Sequence, residues 1–74
     1  MLLLSAKWAP LLTSQPEAGM GWQVATIRLK DGRSFEHVVI QAGTVASIAN
    51  DPHIPFFEDD IAQIVVTNDI SWRH

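Results

Sequence analysis

Cysteine is absent from this chain, basic residues are few, and no apolar run is long enough to cross a bilayer. Each absence removes a class of protein. Without cysteine there is no disulfide framework, no thiol nucleophile and no thiolate metal site. Five Lys and Arg against eight Asp and Glu leave a net charge of −3. That balance argues against a protein that coats nucleic acid, because such binding needs a positive stripe to displace counterions. No segment approaches the roughly 18 apolar residues of a membrane span. The N-terminus, Met1-Leu2-Leu3-Leu4-Ser5-Ala6-Lys7-Trp8-Ala9-Pro10, starts like a signal peptide but has no basic residues before the apolar run. Lys7 then interrupts the run and Pro10 follows it. The expectation is a soluble, cytoplasmic protein with no membrane segment.

What the chain does have is apolar residues, 47% of 74 positions, in a length that holds one domain. Domains below about 80 residues keep a thin margin of stability and usually add a staple. Disulfides are excluded, and a zinc site would rest on three His and carboxylates alone. The remaining staple is association with another copy.

Composition changes near Gly19-Met20-Gly21. Residues 1–19 read as an N-terminal arm or leader, with translation starting at Met20 as the plainer alternative. Residues 20–74 read as a small β domain. Strands are expected over Trp22–Lys30, Ser34–Gln41, Thr44–Ala49 and from Ile61 or Ala62 to Thr67, with a short fifth over Ile70–Trp72. The acidic triplet Glu58-Asp59-Asp60 suits a one-turn helix before strand four. Asp31-Gly32 marks a hairpin. A three-residue loop with Gly32 in the left-handed region sets Leu29 against Arg33, Ile27 against Phe35, Ala25 against His37 and Val24 against Val38. One face then carries Ala25, Ile27, Leu29, Phe35, His37 and Val39. The other is polar near the turn and apolar at its far end, at Trp22, Val24, Val38 and Ile40. The loop after Gln41 admits two or three residues.

Short strands, a tight first hairpin and a one-turn helix before a late strand resemble an SH3-like small β-barrel. Sm-like proteins share that plan and often carry a similar Leu-x-Asp-Gly-Arg hairpin, here Leu29-Lys30-Asp31-Gly32-Arg33. The resemblance covers roughly residues 22–67 and implies an all-β barrel of four to five antiparallel strands with an apolar N-terminal arm. The chain departs from the Sm pattern in two places. Pro10 and Pro16 sit badly in the N-terminal helix of that plan, and no Asn follows an Asp-x-x-Met pattern after strand two. The resemblance therefore implies the barrel and assigns no functional residue.

Four groups of residues bear on function. Asp51, His53, Glu58, Asp59 and Asp60 offer carboxylates and one imidazole to a hard cation, but without a calcium-loop glycine or a His-x₃-His pair. A helix N-terminus beside a solvated turn explains them as well, so no metal or cofactor is assigned. His37 reads as a hydrogen-bonded residue at the rim of the apolar face. Arg28, Lys30 and Arg33 put three of the five basic residues on one hairpin, with Asp31 and Glu36 beside them. They would contact phosphate or RNA in an alternative reading, with Trp22 or Phe57 stacking a base. Leu2, Leu3, Leu4, Trp8, Leu11 and Leu12 crowd the arm, where Pro10 and Pro16 are expected to deny a regular helix.

The expected function is an interaction or structural module that forms a homo-oligomer. The expected interface residues are Leu3, Trp8, Leu11, Trp22, Val24, Val38 and Ile40. Catalysis is not expected, since Ser residues lack a nucleophile-elbow context and so short a chain has little room for a substrate pocket.

Overall fold

The computed structural model describes residues 1–70. Its strands are β1 (Leu2–Leu3), β2 (Trp22–Leu29), β3 (Ser34–Gln41), β4 (Thr44–Ile48) and β5 (Ile61–Val66), with one short helix, α1 (Ala9–Thr13). All pairings are antiparallel, and the spatial order is β1-β4-β3-β2-β5. The sheet curls into a half-barrel around one core.

The first hairpin shows how local chemistry sets register. Gly32 takes φ +97°, which an L side chain rarely adopts. The Leu29 N–H donates to the Arg33 carbonyl at 2.7 Å and the Gly32 N–H to the Leu29 carbonyl at 3.0 Å. Ile27 faces Phe35 and Arg28 faces Ser34, as the three-residue loop predicts.

Beyond that point the expected register fails by one residue. Ala25 pairs with Val38 rather than His37, and Val24 with Val39 rather than Val38. The cause is a bulge in β3, where His37 takes φ +59°. An extra residue switches every side chain after it to the other face. Val38 and Ile40 therefore join Ala25, Ile27 and Leu29 in the core, while Val39 does not. His37, expected on the apolar face, is the bulge residue and half-buried. Val24 is fully buried yet stands outside the core cluster. Its carbonyl accepts the Thr67 and Asn68 N–H groups, and its own N–H donates to Asn68 Oδ1.

Gln41 pairs with Thr44, which makes the next loop a two-residue turn, Ala42-Gly43, with φ +51° and +75°. Those angles are the pattern of a type I′ hairpin, which favours Asn-Gly. Alanine is a poor choice at the first position, since the left-handed conformation costs an ordinary residue about 1–2 kcal/mol. Ala42→Asn should accordingly raise stability by about 1 kcal/mol in urea denaturation.

The arm supplies a strand and part of the core. Leu2 pairs with Val45 and Leu3 with Thr44, while the Leu4 N–H donates to the Gly43 carbonyl at 2.9 Å. Leu4 is buried in the core, and Leu2, Trp8, Leu11 and Leu12 pack against it. The expectation that Pro10 forbids a helix is corrected. Pro10 sits in the first turn of α1, where a missing N–H costs nothing. A single 3-10 turn at Glu58–Asp60 leads into β5. Ile70 lies outside any strand, and the rest of the expected Ile70–Trp72 strand falls outside the described residues.

Candidate interaction surfaces

Arg28, Lys30 and Arg33 are all exposed around the first hairpin. They do not form an isolated positive spot. Arg33 Nε donates to Asp31 Oδ2 at 2.8 Å, and the Arg33 backbone N–H to Asp31 Oδ1 at 3.0 Å. That backbone N–H, helped by the guanidinium, holds the Asp31 carboxyl below its ordinary range. The Lys30 N–H donates to the Asp60 carbonyl at 2.8 Å, so the acidic turn lies against the same end of the sheet.

The acidic residues are engaged with backbone rather than with one another. Asp51 Oδ1 accepts the His53 N–H at 2.9 Å, and Asp60 Oδ2 accepts the Phe57 N–H at 2.9 Å. Glu58 Oε2 accepts the Ser5 N–H. Among the described residues no three His, Asp or Glu side chains come together as a metal-ion site. The Glu58 contact joins the arm to the turn before β5. The Ser5 N–H, chiefly, holds the Glu58 carboxyl below its ordinary range. A depressed folded value means that this contact stabilises fully above the unfolded glutamate range and is lost as pH falls through the folded value. Protection of the Ser5 amide, taken relative to its intrinsic exchange rate at each pH, should therefore fall as pH drops below the ordinary glutamate range, and Glu58→Gln should flatten that dependence.

Three of the expected interface residues are unavailable to a partner. Val38 and Ile40 belong to the protomer's own core because of the bulge at His37, and Val24 is enclosed on the other side of the sheet. Trp8, Leu11 and Trp22 are half-buried. Leu3 alone of the seven stands mostly in solvent, 74% exposed. Phe57, named for base stacking in the alternative reading, is exposed as well, and so is Val65, which was not expected at a surface site.

Two features remain. The first is β5, which pairs with β2 on one side and, among the described residues, with no strand on the other. Ile61-Ala62-Gln63-Ile64-Val65-Val66 contains neither a charge nor a proline. The signal lay in the sequence, as a charge-free run rich in β-branched residues directly after Glu58-Asp59-Asp60, but the strand order that leaves it at an edge did not.

The second is a groove of about 410 Å³ where the end of α1 meets the β3–β4 turn, with walls that include Leu12, Ile40 and Ala42 and polar groups from Thr13, Glu17 and Gln23. Gln23 is only 6% exposed. Its Nε2 donates to the carbonyls of Leu12 at 2.9 Å and of Gln15 and Pro16 at 3.2 Å. Alternation puts Gln23 on the same face as Ala25, Ile27 and Leu29, and the apolar face was followed back only to Ala25, so sequence reasoning missed it. Among the described residues no helix is long and apolar enough to cross a membrane. No family model matches this chain, and no curated protein or solved structure does either.

Proposed function

We propose that this chain is a small SH3-like β-barrel module that works as a homo-oligomer, with two copies joined through the free edges of β5. The tight first hairpin and the 3-10 turn ahead of the last strand support the SH3-like plan. The observation that carries the association is the edge itself. Natural edges are blunted by Lys, Pro, bulges or cover, because a row of open N–H and C=O groups invites a further strand. β5 is six residues long and carries neither a charge nor a proline, and its one bulge, with Ala62 as the extra residue, lies at its start and leaves residues 63–66 in regular register with β2. Two copies related by a two-fold axis would place β5 against β5 in antiparallel register and continue the sheet. Val65, 40% exposed, would gain cover there.

Light scattering after size exclusion tests this at tens of micromolar. A dimer mass is expected, with a melting temperature that falls on dilution. Val65→Lys should yield a folded monomer, because a charge at the edge opposes pairing. A wild-type monomer whose melting temperature ignores dilution overturns the reading. Contact with phosphate or single-stranded RNA through Arg28, Lys30 and Arg33 has less support, given the Asp31–Arg33 ion pair. Salt-sensitive RNA binding by the wild type would favour it instead.

A further inference from the structure

We infer that the groove between α1 and the β3–β4 turn is a binding site for an alkylammonium group, a primary amine at the end of a short aliphatic chain. The argument starts from Gln23. A glutamine amide has two N–H donors, and three backbone carbonyls already take them. This fixes which end of the amide is nitrogen, and it leaves Oε1 as the end free to accept. Among the described residues no donor reaches that oxygen. Trp8 Nε1 is the one fully buried side-chain nitrogen or oxygen among them without a partner, so Gln23 Oε1 keeps access to the open space that Gln23 lines.

The second observation is charge. Glu17 lines the same groove, and no Lys, Arg or His does. A ligand there meets one carboxylate and one uncharged acceptor held in place by the Gln23 side chain. Its walls include the aliphatic side chains of Leu12, Ile40 and Ala42. Anions are repelled, and a plain alcohol forgoes the charge. A single carboxylate is too few ligands for a hard divalent cation. An ammonium supplies three donors on a compact cation, and its aliphatic stem suits the apolar wall. About 410 Å³ lies within the range of small-molecule sites. The site lies at the junction of the arm with the β domain, so it exists whether or not β5 pairs with another copy.

The test is a titration of the ¹⁵N-labelled full chain with n-pentylamine, with n-pentanol and pentanoate as matched controls. Saturable shifts are expected at the amides of Gly21, Gln23 and Gly43 and at the Gln23 side-chain amide, with the amine only. Glu17→Gln should weaken the response at least tenfold while leaving the rest of the spectrum in place. Nα-acetyl-lysine amide separates the two sources of such a group. A matching affinity points to a lysine side chain on a protein partner, and a response to the free amine alone points to a small-molecule amine. An equal response to pentanol and pentylamine, non-saturating shifts, or an unchanged affinity in Glu17→Gln would each overturn the assignment.

Discussion

Leu4→Ala should cost about 2–5 kcal/mol, while Leu3→Ala one position earlier should change stability by no more than about 0.5 kcal/mol. The two residues are identical and adjacent, Leu3 ending β1 and Leu4 following it, and they differ in how deeply their side chains are buried. Leu4 is 7% exposed and packed in the core, whereas Leu3 is 74% exposed. Truncating Leu4 removes buried methyl groups and leaves a cavity that the short β1 cannot collapse into, because its backbone is tied to β4 through the pairs Leu2 with Val45 and Leu3 with Thr44. In a domain of this size the loss corresponds to a fall of about 10 °C or more in melting temperature. Urea denaturation followed by circular dichroism reads both variants. Equal, small effects at the two positions would mean that the arm does not dock.

The same comparison shows why the arm could be located in sequence only as a problem. Six large apolar side chains before residue 13 announce burial, yet their partners lie beyond residue 23 and no spacing rule names them. Turn chemistry, in contrast, acts over three or four residues. Asp31-Gly32 therefore yields the hairpin register as far as Ile27 and Phe35 from local information alone. The bulge at His37 broke that register because a left-handed histidine has no compositional mark. A hint did exist. The expected register left Val38 and Ile40 opposite the face that carried Ala25 and Ile27, which made the sheet apolar on both sides. One extra residue in β3 resolves the conflict and gathers all four into one core. Pro10 misled for a related reason. Its effect depends on helix position, and only the structure puts it in the first turn.

Gln23→Glu should destabilise the chain by about 3–5 kcal/mol at neutral pH, more than Gln23→Met at about 1–3 kcal/mol. The amide nitrogen of Gln23 is what satisfies the Leu12, Gln15 and Pro16 carbonyls, and so what fastens the chain after α1 to β2. Methionine fills the same volume but leaves those acceptors without their donor. A carboxylate does worse, because it sets a charge among three carbonyl oxygens at a position 6% exposed to water. Burial and those dipoles would raise the folded pKa of the introduced acid above its unfolded value. The penalty is therefore full above the folded value and shrinks as pH falls toward the unfolded one. At pH 5 the neutral acid can donate one hydrogen bond, so the Glu variant should approach the Met variant in stability, while the Met variant keeps its offset from wild type. Chemical denaturation of all three proteins at pH 7 and pH 5 reads the difference. If the Glu variant tracked the Met variant at both pH values, Gln23 would be filling space rather than bonding the carbonyls.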